Sequence, residues 1–165
     1  MSLRSTEPYF HEHAALRDQV ERLPVIAREL ACIESDERFE VVERVAGFLA
    51  EILLPHCAVE ERVLYPEAAR LLGEEDGSDA VATDREQVRG LLGDLAMADV
   101  RDVGEIQEIL FALHALLQSH LWREEELYLK LARSSDQKRA GDLLERAGRR
   151  FRPSPPESPR IAATP

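Results

Sequence analysis

The sequence predicts an all-α protein: an up-down-up-down four-helix bundle followed by a short C-terminal helix and a disordered tail. Three observations carry this. Leu, Ala, Glu and Arg dominate while aromatic residues make up only 5% of the chain, a composition that favours helix over strand. Apolar residues recur at three- and four-residue intervals as far as about residue 133, which is the stripe of amphipathic helices. The connections between these periodic stretches are short, as in bundles of adjacent helices. A chain of 165 residues suits one domain with a substantial core.

The elements follow in order. The first helix is expected from about Pro8 to Ile33, with Pro24 as a kink or break, and the Glu34-Ser35-Asp36 turn ends it. The second runs from about Glu37 to Leu72, interrupted by Pro55 just before His56 and by Pro66 just after Tyr65. Gly73 to Asp79 reads as a loop, Ala80 to Met97 as the third helix, and Val103 to Arg133 as the fourth, with Asp99 and Asp102 in the short connection. After Ser134-Ser135 the composition shifts. Asp136 to Arg150 suits a short basic helix, and the Pro/Ser-rich stretch from Phe151 to Pro165 suits disorder. The expected division is therefore a bundle over residues 1–133 and an extension over 134–165, in which the basic residues from Lys138 through Arg152, mixed with acids, read as a solvated tail.

Several functions are disfavoured. A net charge of −11 argues against nucleic-acid or anionic-membrane partners. The two cysteines, Cys32 and Cys57, make no disulfide framework, and neither a signal peptide nor an apolar run long enough to span a bilayer is found. A cytoplasmic location is the expectation. A protein partner or a homo-oligomer stays open.

The chemistry lies in a segment that occurs twice, His56-Cys-Ala-Val-Glu60-Glu61 and His120-Leu-Trp-Arg-Glu124-Glu125. On a helix a residue and its fourth neighbour lie one above the other, so each pair presents an imidazole and a carboxylate in one direction. That direction is inward: His56 is in register with Leu49, Ile52, Leu53 and Val63, and His120 with Leu113, Leu116, Leu117 and Leu127. A single His-x-x-x-Glu is ordinarily an exposed pair worth a few tenths of a kcal/mol. Two copies on apolar stripes are different, because buried carboxylates are costly unless paired or coordinated. A metal ion between them is the economical solution.

An internal repeat extends this to the other helices. His13-Ala-Ala-Leu16-Arg17-Asp-Gln-Val20-Glu-Arg-Leu23 has its apolar residues at the same offsets as Arg85-Glu-Gln-Val88-Arg89-Gly-Leu-Leu92-Gly-Asp-Leu95. This register turns His13 to the core and sets Arg85 at the equivalent place on the third helix. Among the remaining residues, His11 reads as a surface residue, His114 as packing at a helix boundary and Cys57 as a small core residue. Tyr9 and Tyr128, each four residues from a candidate ligand, are within reach as hydrogen-bond donors, though packing is the simpler role. Glu61, Glu125 and Glu126 read as a solvated face, with Glu61 able to approach a metal from the side.

These residues carry a resemblance over about Phe10 to Arg133 to the hemerythrin-like, HHE-type cation-binding domains, whose flanking signature is also present as His56-x-x-x-Glu60-Glu61-x-x-Leu64-Tyr65-Pro66. The resemblance implies a four-helix bundle holding non-haem iron, usually as a di-iron pair. Its ligands come as a His from the first helix, His-x-x-x-Glu from the second, a His from the third and His-x-x-x-Glu from the fourth. Carried over, it makes His13, His56, Glu60, His120 and Glu124 the metal ligands, with both glutamates as bridges. The chain departs from the family on the third helix, where Asp84 is followed by Arg85 instead of His. A guanidinium has no lone pair to donate.

The family arrangement therefore leaves one half-site complete, His13, His56, Glu60 and Glu124, and the other with His120 alone. The expectation is that Arg85 replaces the second cation, its fork bridging Glu60 or Glu124, so that one ion or none is bound. Fe(II), Mn(II) and Zn(II) all suit two imidazoles and two carboxylates. Were Arg85 to point outward, Asp84 or Glu86 would be the rescue ligand. Three function classes follow: a non-haem metal protein that binds, stores or senses iron, oxygen or nitric oxide; a redox enzyme acting on peroxide or nitric oxide; and a metal-free bundle serving as an interaction or regulatory module. Whether the protein is an enzyme is left open.

Overall fold

The computed structural model describes residues 7–75 and 77–151, with the side chains of residues 7–10, 12 and 151 outside the description. Of the stretch expected to be disordered, Phe151 ends the last helix and residues 152–165 fall outside the described residues. Those described form five helices: α1 (Glu7–Glu29), α2 (residues 35–72), α3 (Ser78–Met97), α4 (Val103–Ala132) and α5 (Gln137–Phe151). Among the described residues no helix is long and apolar enough to cross a membrane.

Local chemistry sets the boundaries. α1 passes through Pro24 and tightens into a 3-10 turn at Leu30–Cys32, which stops it four residues short of the expected Ile33. Gly73 ends α2 in the left-handed region, φ 69°, with its N–H donating to Ala69 O at 2.9 Å; glycine alone takes this conformation without a steric penalty. The Asp102 carboxylate accepts from the Glu105 N–H at 3.1 Å and opens α4, satisfying one of the donors that a helix start leaves unpaired.

The two prolines of α2 do not end it. The helix widens into π turns at Leu49–Leu53 and Glu60–Leu64, each finishing two residues before a proline. Leu54 donates to Leu49 O and Tyr65 to Glu60 O, five residues back. A proline ring crowds the carbonyl four residues behind it and offers that carbonyl no N–H. Widening the preceding turn accommodates both defects and lets the next helical segment start at Leu54-Pro55 and Tyr65-Pro66. Such turns recur at functional sites, and here one precedes His56 and the other begins at Glu60.

Contacts between α1 and α4 descend in register. His13 meets Tyr128, Arg17 meets Glu125, Glu21 meets Gln118 and Ala27 meets Gln107, so these two helices run antiparallel. α3 packs on α4 and on α2. The interior divides in two: a large apolar core including Leu16, Val20, Phe48, Leu53, Leu113 and Leu117, and a smaller one of Leu64, Ala68, Tyr128, Leu131 and the inner face of α5. Between them lies a polar layer containing His13, His56, Glu60, His120 and Glu124, all buried.

The short basic helix expected over Asp136 to Arg150 is present as α5, with its arginines in solvent as read from the sequence, but it is docked on the bundle and does not lie free as a tail. The structure buries Ala140, Leu143, Leu144 and Ala147 against α2 and α4, while Arg139, Arg146, Arg149 and Arg150 stay exposed. α5 thereby closes the end of the bundle nearest the polar layer. We expect Leu143→Ala to lower the unfolding free energy by about 2–5 kcal/mol, the usual cost of a leucine cavity, in denaturant titration; a helix lying loose on the surface would change by less than about 0.5 kcal/mol.

Candidate metal centre

Each candidate ligand is placed by a regular feature of its helix. His56 and Glu60 sit four residues apart across the short α-helical segment between the two π turns of α2, and His120 and Glu124 sit four apart in the uninterrupted α4. His13 comes from α1, in line with Leu16 and Val20 as the repeat predicts.

The side chains converge. Glu60 Oε1 lies 3.1 Å from His56 Nε2 and 3.5 Å from His13 Nε2, while its Oε2 lies 3.2 Å from His120 Nε2. Glu124 Oε2 lies 3.3 Å from His13 Nε2, and its Oε1 lies 3.1 Å from His120 Nε2 and 3.8 Å from His56 Nε2. Both carboxylates thus stand between two groups of imidazoles. Glu60 and Glu124 have no exposed surface, yet Glu60 Oε1 and both oxygens of Glu124 make no well-directed hydrogen bond among the described residues. Buried carboxylate oxygens are seldom left so. Nitrogens and oxygens that surround a common point without pairing well with one another form the donor set of a cation, and the residues present fit one.

The electrostatics agree. Burial works against every charge in the layer, and the opposite charges outweigh it. Burial would lower His13, but adjacent Glu124 and Glu60 raise it to about 9. His56 and His120 are raised in the same way. Burial and the neighbouring Glu124 push Glu60 up, and His56 and His120 more than compensate, so that it ends below the ordinary carboxylate range. Burial likewise raises Glu124, and His120 leads the groups that bring it well below that range. Without a metal, protons on the imidazoles supply the positive charge.

The third helix is where structure and sequence reading part. Its buried line is Val81, Asp84, Val88 and Leu95, so Asp84 faces the centre and Arg85 stands about 100° round the helix. Arg85 Nε lies 2.8 Å from Glu61 Oε2, and its other ion-pair partner is Glu86 at 3.9 Å. The expected bridge from Arg85 to Glu60 or Glu124 is not among these contacts. Glu61 is held by Arg85 at the rim. Nor is Asp84 the rescue ligand suggested for this case: its Oδ2 accepts from His120 Nδ1 at 3.0 Å and from Arg123 on α4. A carboxylate can only accept here, so the Nδ1 proton is fixed and Nε2 is the nitrogen aimed at the centre.

The reading of Cys57 as a plain core residue also changes. It is buried, but its Sγ lies 3.5 Å from His120 Nε2, and Cys57, Glu60 and His120 form a second group of converging donors beside His13, His56, Glu60 and Glu124. The signal was present in the sequence, since Cys57 stands three residues before Glu60 and shares its face. Tyr128 does more than pack, its hydroxyl lying 2.9 Å from His13 Nε2. The side chain of Tyr9 lies outside the described residues. Tyr65, quoted only for the flanking signature, is buried over Gly77, where an added Cβ would come 2.8 Å from its ring, and its hydroxyl has no hydrogen-bond partner among the described residues. His11 is exposed, and His114 lies 3.6 Å from Glu21 on α1.

A cavity of about 490 Å³ opens between α1 and α4, lined by His13, Arg17, Leu121, Glu125 and Tyr128 among others. His13 is part of its lining, and the Arg17–Glu125 ion pair stands on its wall.

With this geometry in place, one family model matches the chain: that of the hemerythrin HHE cation binding domain, over residues 6–132. The chain belongs to this family. The match covers α1 to the end of α4, and α5 follows it. No curated protein and no solved structure matched the chain. Membership implies a bound metal ion, typically iron, and the His/Glu layer is where such an ion would be held.

Two tests follow. The folded value of His13 lies above its ordinary value of 6.5, so the stability it contributes to chelator-treated protein is fully present below that pH and is lost as pH rises through about 9. Denaturant titrations across this interval should show unfolding free energy falling with pH. If His120 is a ligand, removing the carboxylate behind it, by Asp84→Ala, should weaken metal binding there by about 10–100-fold, measured by competition with a chromophoric chelator.

Proposed function

We propose that this is a non-haem iron protein of hemerythrin type that binds iron at His13, His56, Glu60 and Glu124 and serves to bind or sense a diatomic gas, oxygen or nitric oxide. The observation that carries the reading is the pair of wholly buried carboxylates, Glu60 and Glu124, facing imidazole nitrogens on both sides with no arginine or lysine paired to them among the described residues. Iron bound there supplies a redox-active centre with affinity for such ligands.

The protein's own groups do the rest. His13 and His56 offer Nε2 lone pairs once their protons leave, and the glutamates supply negative charge that stays buried. The two apolar cores and α5 flank the layer, and the α1–α4 cavity that His13 lines offers a path for a small neutral molecule. The Tyr128 hydroxyl, where that path meets His13, is placed to donate a hydrogen bond to an arriving ligand. The metal-free alternative drew its support from Arg85 closing the site, and Arg85 pairs with Glu61 instead. A cytoplasmic setting suits two free cysteines.

Elemental analysis of protein expressed in iron-supplemented medium, with an absorption spectrum on the same sample, tests this reading. His56→Ala and Glu60→Ala should each abolish iron retention, whereas Arg85→Ala should leave it unchanged. Iron content unaffected by the first two substitutions would sink the assignment.

A further inference from the structure

We propose that Cys57, His120, Glu60 and Glu124 form a second, thiolate-containing metal site adjoining the first, selective for a borderline-soft divalent ion such as Zn(II). Cys57 supplies a donor on the side where the third helix, with Arg85 drawn to Glu61, offers none.

The geometry supports each donor. Glu60 turns Oε1 to His56 and His13 and Oε2 to His120, at 3.1, 3.5 and 3.2 Å, the disposition of a carboxylate that bridges two ions. Cys57 Sγ and His120 Nε2 lie 3.5 Å apart on the Oε2 side, and Glu124 Oε1 lies 3.1 Å from the same nitrogen. Asp84 fixes the tautomer of His120 from behind, at 3.0 Å, the usual companion of a metal-binding imidazole. Cys57, Glu60 and His120 are all buried, so these donors are preassembled.

Charge gives a second reason. Two divalent ions set between two carboxylates alone would leave two positive charges uncompensated in a buried layer, which is costly. On binding, the Cys57 thiol releases its proton to solvent, and the thiolate cancels one of those charges. Sulfur also changes selectivity: thiolate with imidazole and carboxylate favours Zn(II) or Co(II), whereas the imidazole and carboxylate set of the first site accepts Fe(II), Mn(II) or Zn(II). The chain can thus hold two different ions side by side. This inference shares Glu60 and Glu124 with the reading above and otherwise stands apart from it.

The test uses the full chain carrying Cys32→Ser, which leaves Cys57 as its sole thiol, titrated with Co(II) and, separately, loaded with Zn(II). About two ions per chain are expected, with a sulfur-to-Co(II) charge-transfer band in the near ultraviolet and one sulfur at about 2.3 Å from Zn(II) by X-ray absorption. Adding Cys57→Ser should remove the band and lower the stoichiometry to about one, with the far-ultraviolet circular dichroism unchanged. Two ions seen with nitrogen and oxygen neighbours only, or one ion without sulfur, would overturn the thiolate site and leave the first site standing. No ion bound at all would overturn both. The X-ray absorption result on the parent protein decides the matter even if the Cys57 variant does not fold.

Discussion

Two carboxylates, Glu60 and Glu124, are held with no exposed surface at the centre of a helical bundle, and the rest of the structure is arranged around that constraint. An ionised carboxylate is stable in such a place only if positive charge and hydrogen-bond donors surround it. Here the surrounding groups are three imidazoles drawn from α1, α2 and α4. An imidazole can carry that charge as a proton or yield its lone pair to a metal, which a lysine or arginine in the same place could not do at neutral pH. The layer is therefore neutralised in the metal-free protein and ready to exchange protons for a cation.

The bundle supplies this layer with walls. One apolar core lies on the side of Leu53 and Leu117, and a second, completed by α5, lies on the side of Leu64 and Leu131. The π turns of α2 belong to the same design, since two prolines eleven positions apart would otherwise break the helix that carries His56 and Glu60. Around the ligands runs a further set of contacts, Arg123 to Asp84 to His120 and Arg85 to Glu61. These hold the imidazole and the rim and, among the described residues, keep arginine and lysine out of the centre.

Much of this was legible in residue spacing. The boundaries of α3 and α4, and the inward direction of His13, His56, Glu60, His120 and Glu124, follow from apolar periodicity, because a residue on the stripe of an amphipathic helix must go where the stripe goes. The third helix defeated the same logic. Leu91 and Leu92 are adjacent and each half-buried, so the apolar pattern fits two registers, and the repeat chose the one that put Arg85 inward. The buried line through Val81, Asp84 and Val88 is set by what α2 and α4 present to α3, and no single helix contains that information.

What the sequence determined by itself is the helical class, the order of elements and the membership of five residues in one polar layer, all consequences of local spacing and side-chain chemistry. Only the tertiary structure decided that Asp84 serves His120 instead of a metal, that Arg85 is drawn off to Glu61, that Cys57 turns its sulfur to His120, and that the C-terminal helix seals the end of the bundle. The three side-chain contacts span 2.8 to 3.5 Å between residues 24 to 63 positions apart in the chain, and the helix packs on residues equally remote in sequence. Periodicity fixes which way a side chain points from its own helix, and packing alone fixes what stands opposite.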